Sequence, residues 1–187
     1  MKPIAPLMIE HRTIERMLSV FARERQRIFK TGQVDYGAIR ISVDFFRTYI
    51  DEYHHRKEED ILFKTLDAKA LSGEDRKVMG ELRDEHSRAR SVIEKLEKIV
   101  RYREQAHVTV EEIVRYMELL LKWYPAHVEK EDRRFFLQSM KYLSDQEQAA
   151  MLEELREFDR NFTQERYGEL ISDLEKYLRL KERGAAA

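Results

Sequence analysis

The chain of 187 residues contains no cysteine, only 3 prolines and only 6 glycines. Without a thiol, it has no disulfide framework, thiolate zinc site, iron–sulfur cluster or cysteine nucleophile. Acidic and basic residues nearly balance, at 36 and 35, and they form no basic stripe of the kind that binds nucleic acid. The sequence also lacks an apolar run long enough to span a membrane, and its first residues do not read as a secretory signal. We therefore predict a cytoplasmic protein that binds neither nucleic acid nor membranes.

Charged residues make up 38% of the chain and hydrophobic residues 42%, a mixture typical of long amphipathic helices. The apolar spacing predicts four long helices, at about residues 6–30, 35–66, 73–105 and 109–142. Two shorter helices follow, the first opening at Ser144 and the second covering about residues 164–181.

Helix starts are marked by capping boxes, in which Thr109 precedes Glu112 and Ser144 precedes Glu147 by three residues. Long helices joined by short connections favour antiparallel neighbours. We therefore predict an all-α fold, an up-down-up-down four-helix bundle with one or two additional C-terminal helices. Residues 1–187 would form a single domain, with the bundle core at about 6–142 and the helical extension at about 144–182.

The histidines carry the clearest functional signal. A single histidine on an apolar helix face is more often a satisfied core residue than a metal ligand. Here, each of the four long helices places one histidine on its apolar face, and these are His11, His54, His86 and His127. Two of them are followed one turn later by a glutamate on the same face, Glu58 and Glu131. Since a buried carboxylate is costly unless it is paired or binds a metal, the pattern favours a metal site.

The stretch YHHRKEEDILF at residues 53–63 contains two interleaved His-x-x-x-Glu pairs. At about 100° per residue of an α-helix, His54 and Glu58 fall beside the apolar stripe. The same spacing places His55 and Glu59 on the solvated face. We therefore predict that His54→Ala loses metal, whereas His55→Ala largely keeps it.

Four imidazoles and two carboxylates without sulfur suit iron, manganese or zinc. Six ligands are too many for one open site, so two metals bridged by the carboxylates are expected, with positions left for water or a small oxidant. Tyr53 and Tyr124 are near enough in sequence to donate hydrogen bonds or electrons, although simple packing is the plainer interpretation. A ferritin-like site would need two Glu-x-x-His motifs on separate helices, and only Glu52-x-x-His55 fits.

The four segments IEHRTIERML, HHRKEEDILF, DEHSRAR and HVEKED resemble the hemerythrin-like, or HHE cation-binding, family over about residues 7–140. The resemblance implies a non-haem di-iron site, in which His11 and His54 serve one iron and His86 and His127 the other. Glu58 and Glu131 would bridge the two irons.

Two positions differ from the oxygen-carrying members of that family. Leu82 stands where the carriers have a second histidine, and the last motif reads His-x-x-x-Glu where they have an aspartate five residues after the histidine. The ligand count would fall from seven to six, which argues against reversible oxygen carriage. Three hypotheses follow: a di-iron protein that binds or reduces O2, peroxide or nitric oxide; an iron- or oxygen-responsive sensing module that uses the C-terminal helices; and a metal-free bundle.

Overall fold

Helices make up almost all of the described chain. The computed structural model describes residues 1–102, 108–160, 162 and 164–184, and this part contains no β-strand. The prediction of an all-helical fold is therefore confirmed. His107, which the sequence places in a surface loop, and the predicted end of the third helix near residue 105 lie outside the described residues. The helices are α1 (Ile4–Thr31), α2 (36–67), α3 (Gly73–Arg101), α4 (110–142), α5 (Asp145–Asp159) and α6 (Gln164–Gly184).

Two of these helices are not uniformly α-helical. Helix α2 begins as an α-helix and then contains two π-helical segments, Phe46–His55 and Glu58–Phe63. Helix α4 contains a third, Glu131–Phe135, and ends in a 3₁₀ turn at Met140–Tyr142. In a π-helix the hydrogen bonds run from residue i to i+5, so each turn holds more residues than the 3.6 of an α-helix. All three π-helical segments lie at or beside the polar layer described below.

The helix ends follow from local sequence. Gly32 ends α1 with φ at +66°, a left-handed conformation that glycine adopts without steric cost. The Asp35 side chain accepts hydrogen bonds from the first backbone N–H groups of α2. The Thr109 hydroxyl accepts from the Glu112 N–H at the start of α4, and the capping box at Ser144 is present as predicted.

The apolar core is divided into two clusters. One contains Ile14, Tyr53, Ala89 and Tyr124 among its members, and the other contains Leu7, Ile61, Leu82 and Phe135. In each of the first four helices the two clusters are separated by a short polar stretch. The buried polar residues in these stretches are Glu10, His11, His54, His55, Lys57, Glu58, His86, His127 and Glu131. A polar layer therefore crosses the molecule between two apolar ends.

Both C-terminal helices contribute to the core. Helix α5 buries Met151 and Leu155 in the second cluster, and α6 buries Ile171, Leu174 and Leu178 in the first. They cover the other helices with their apolar faces, as amphipathic helices usually do. None of the described helices is both long enough and apolar enough to cross a lipid bilayer.

Candidate metal centre

The polar layer holds two pairs of histidines whose Nε2 atoms face each other. His11 Nε2 lies 3.0 Å from His54 Nε2, and His86 Nε2 lies 3.2 Å from His127 Nε2. All four side chains are buried.

In each of these four histidines, Nδ1 forms a hydrogen bond with a carboxylate oxygen. The partners, with distances of 2.7–2.9 Å, are Asp132 for His11, Glu10 for His54, Glu59 for His86 and Glu85 for His127. Because an ionised carboxylate only accepts, each Nδ1 is the donor, and in the neutral imidazole Nε2 is left with an inward lone pair. Two lone pairs about 3 Å apart repel unless a proton or a cation lies between them.

The outer carboxylates connect the helices in a closed order. Glu10 of α1 holds the histidine of α2, and Glu59 of α2 holds that of α3. Glu85 of α3 holds the histidine of α4, and Asp132 of α4 returns to that of α1. Each outer carboxylate is also adjacent in sequence to an inner residue of its own helix, so every helix contributes to two sides of the ring.

Two further carboxylates, Glu58 and Glu131, lie between the histidine pairs and are fully buried. Glu58 Oε1 lies 3.4 Å from His54 Nε2, and its Oε2 lies 3.4 Å from His86 Nε2. Glu131 Oε2 lies 3.2 Å from His11 Nε2, and its Oε1 lies 3.2 Å from His127 Nε2. Each carboxylate therefore faces one histidine pair with one oxygen and the other pair with the second oxygen.

His55 is also part of this layer, which corrects the expectation that it faces solvent. Its side chain is 2% exposed, its ring stacks on His86 with centroids 3.8 Å apart, and neither ring nitrogen has a hydrogen-bond partner among the residues that the structure describes. The helical phase of 100° per residue fails here because residues 46–55 form a π-helix. Each residue of a π-helix advances by a smaller angle, so His54 and His55 both reach the buried side.

Other predicted neighbours of the site are placed differently. Glu59, expected in solvent, is partly buried and holds His86. The sequence places Glu15, one turn after His11, at the border of the apolar stripe of α1, but its side chain is exposed and pairs with Arg12. Asp132 does stand five residues after His127, but its side chain holds His11 Nδ1 rather than lying between the pairs.

The two tyrosines considered from the sequence are both buried. Tyr53 donates hydrogen bonds from its hydroxyl to Asp159 and Glu10. The Tyr124 hydroxyl has no hydrogen-bond partner in the described part of the chain, and its ring lies roughly parallel to that of His55.

Burial and mutual charge shift the titration of these groups. Burial and the negative charge of Glu131 raise the pKa of Glu58 well above its ordinary value. Although burial acts in the opposite direction, His127 and His11 hold the pKa of Glu131 well below its ordinary value. Burial lowers the pKa of His54 to about 4, and burial also lowers the pKa of His55 well below its ordinary value. Two ionised carboxylates side by side in an apolar core are stable only with compensating positive charge.

The residues fit a metal by two independent criteria. Within the described ranges, the four carboxylate oxygens of Glu58 and Glu131 and both nitrogens of His55 are buried without a hydrogen-bond partner, a state that a bound cation relieves. The potential ligand atoms also form two compact groups, each with its atoms within 4.8 Å of one another. These groups are His11, His54, Glu58 and Glu131, and His55, Glu58, His86 and His127. Oxygen and imidazole ligands without sulfur suit iron, manganese or zinc.

The fold and this layer define an all-helical protein with a buried site for metal cations. The sequence model of the hemerythrin HHE cation binding domain matches residues 2–138, and the chain belongs to this family. The match covers α1 to most of α4 and leaves α5 and α6 outside. No curated protein and no solved structure matches the chain.

Proposed function

We propose that the chain is a non-haem di-iron protein that binds or reacts with a small oxidant such as O2, peroxide or nitric oxide. The observation that carries the proposal is the pair of buried carboxylates, Glu58 and Glu131, each of which faces both histidine pairs. A single metal would leave half of these oxygens without a partner. Manganese or zinc remains chemically compatible with the same ligands.

We infer seven ligands, one more than the sequence suggested. His11 and His54 would hold one iron, and His55, His86 and His127 the other, with Glu58 and Glu131 bridging. The fifth imidazole is that of His55 on α2, one residue after His54. It comes from a different helix than the second histidine of the oxygen carriers, whose position on α3 is occupied by Leu82. The argument from ligand count against oxygen carriage therefore loses its basis.

The four-helix bundle is part of the same proposal. The ring of outer carboxylates supports it, because α1, α2, α3 and α4 contact one another in chain order and α4 contacts α1. Antiparallel packing of α1 and α4 is supported by two contacts at different levels. His11 contacts Asp132 near one end of α1 and α4, and Arg25 contacts Glu118 farther along. A cytoplasmic location also stays an expectation, based on the lack of cysteine.

A small void lies beside the three-histidine group. It has a volume of about 10 Å³ and is bordered by His55, His86, His127, Trp123 and Tyr124, which is at most the space for one water molecule. The Tyr124 hydroxyl, which has no hydrogen-bond partner among the described residues, would be available to donate to a water or hydroxide in this void.

Bound iron would supply the electrons and the open coordination position. The protein would orient His11, His54, His86 and His127 through their Nδ1 contacts, and it would exclude bulk water by burying every ligand.

Metal content and peroxide turnover test the proposal. Protein loaded with Fe²⁺ without oxygen and then desalted should retain about two irons per chain. His86→Ala, which removes one ligand from the three-histidine group, should retain fewer. Oxygen release after peroxide addition, above that of free iron, would identify an enzyme. A folded protein that retains no iron, manganese or zinc would overturn the proposal.

A second function, metal- or oxygen-responsive sensing without turnover, is favoured by one specific contact. Asp159, at the end of α5, bonds Lys57 and Tyr53 directly beside the histidine layer. Iron retention without peroxide turnover, together with a metal-dependent change in α5, would support sensing.

A further inference from the structure

Each of the four outer carboxylates is paired with a cation as well as with a histidine. The pairs are Asp132 with Arg12, Glu59 with Arg90, Glu85 with Lys130 and Glu10 with Lys57. Three of the cations reach solvent, with side-chain exposures of 62% for Arg12, 34% for Arg90 and 19% for Lys130. Lys57 differs from them because its side chain is 0% exposed.

Lys57 is neutralised from both sides by carboxylates of different helices. Its ammonium donates to Glu10 Oε1, while Glu10 Oε2 accepts from His54 Nδ1. On the other side it donates to Asp159 Oδ1 at 2.8 Å, and it lies 3.8 Å from the centroid of the Tyr53 ring. A buried ammonium is stable only when its partners stay in place. An unbroken chain of three hydrogen bonds thus runs from Asp159 to His54.

The distal end of this chain belongs to the C-terminal extension. Asp159 is the last residue of α5, and Phe162 follows it with its ring stacked on Tyr53 at 3.8 Å and 9°. Both residues lie beyond the part that matches the family, which ends at residue 138. Asp159 is 28% exposed, so its release from Lys57 would hydrate both groups.

We propose that Asp159 and Lys57 are positioning residues that couple docking of the α5 end to metal binding at His54. The inference rests on the proposed metal centre. When Asp159 is docked, Lys57 is held against Glu10, and Glu10 fixes the Nδ1–H of His54 so that Nε2 points inward. When Asp159 is released, water reaches Lys57 and Glu10 loses its fixed position. Because coupling between two sites is reciprocal, metal bound at His54 also favours the docked α5.

The decisive measurement is hydrogen–deuterium exchange of residues 145–160 in the full chain, with and without Fe²⁺ in the absence of oxygen. In the wild type, Fe²⁺ should slow exchange at the end of α5. Lys57→Met should abolish this slowing. Lys130→Met is the matched control, since it removes the cation from the Glu85 carboxylate without touching α5. It should keep the metal-dependent slowing even if it lowers iron affinity.

Iron affinity gives a second readout, which does not require that the Lys57→Met variant folds. Loss of an outer partner of a metal-bound histidine typically lowers metal affinity about 10–100-fold. Asp159→Asn should lower iron affinity about tenfold, at the low end of this range, because Asp159 acts through Lys57. Asp159→Glu, which keeps the charge, should recover most of the affinity. Glu157 is a neighbouring exposed carboxylate that pairs with Arg160. The Glu157→Gln variant should bind iron like wild type.

The outcomes separate this inference from the proposed function. A wild type that binds no metal refutes both. A wild type that binds two irons while exchange in α5 stays unchanged, and while Asp159→Asn keeps full affinity, refutes the coupling alone.

Discussion

Replacement of His55 by leucine should have opposite effects on the metal-free and the metal-loaded protein. Both nitrogens of His55 are buried, and no described residue forms a hydrogen bond with either of them. Its closest carboxylate oxygen, Asp51 Oδ1, is 3.6 Å away, beyond hydrogen-bond distance. His54 is equally buried, but its Nδ1 bonds Glu10 at 2.8 Å. The two neighbours in sequence therefore differ in what each does in the absence of metal.

The expected magnitude follows from these contacts. An unsatisfied buried polar group costs about 1–3 kcal/mol, which His55→Leu would remove. The variant would lose the stacking of His55 on His86, and aromatic pairs are worth about 0.5–1.5 kcal/mol. The metal-free variant should therefore be more stable than wild type by roughly 1 kcal/mol. With metal, a tenfold loss of affinity removes about 1.4 kcal/mol of ligand-induced stability, so the order should reverse.

The assay is urea unfolding without oxygen, with and without Fe²⁺, together with iron analysis of the desalted protein. His54→Leu is the matched control: it should also lose iron, but it should destabilise the metal-free protein because Glu10 loses its hydrogen bond from His54 Nδ1. If His55→Leu destabilised the metal-free protein as much as His54→Leu and still retained two irons, His55 would be a core residue and not a ligand.

Three further predictions concern pH, a bridging carboxylate and a helix cap. Although burial opposes it, Asp132 and Glu131 raise the pKa of His11 to about 9, and Glu131 and Glu85 do the same for His127. The charged forms stabilise the metal-free fold fully below about pH 6.5, and this contribution is lost as pH rises through 9. Because a metal needs neutral imidazole, Mn²⁺ titrations should show affinity rising between about pH 6 and 8; a flat profile would contradict the raised pKa values. Glu131→Gln should lower iron affinity by more than the roughly 100-fold upper range for an outer partner, measured by anaerobic titration. Ser144→Ala should cost about 1 kcal/mol in urea unfolding without changing iron content.

The sequence predicts the helices well because their signals are local. Asp35 and Ser144 bond the first backbone N–H groups of their helices, and Gly32 supplies the left-handed end of α1. The starts of α2 and α5 therefore lie within one or two residues of prediction. Apolar spacing was equally informative in α1 and α3, where the α-helical phase is kept over their full length.

The site was predicted only in part, because sequence spacing gives the face of a residue only if the helix type is known. His54, Glu58, His86 and His127 were placed inward, and the structure has them buried. A spacing of 100° per residue places His55 outward. The structure differs because residues 46–55 and 58–63 form widened π-helical turns, which depend on packing across helices. No local residue pattern reports such turns. Segments of π-helix are often found at functional sites, and here one places two consecutive histidines in the same layer.

The outer carboxylates did have a sequence signal, which lies in pairs of adjacent residues. The dipeptides are Glu10-His11, Glu58-Glu59, Glu85-His86 and Glu131-Asp132, one on each of the first four helices. Adjacent residues point about 100° apart on an α-helix and by a smaller angle in the π-helical segments that contain Glu58-Glu59 and Glu131-Asp132. In both cases, when one residue faces the centre the other faces the neighbouring helix. Each dipeptide can therefore supply an inward ligand and a carboxylate for the next helix's histidine. Repeated four times, this arrangement closes into the observed ring only if α4 returns beside α1. The same dipeptides that orient the ligands therefore also specify which helices are neighbours, and a slip of one helix by a single residue would break two sides of the ring at once.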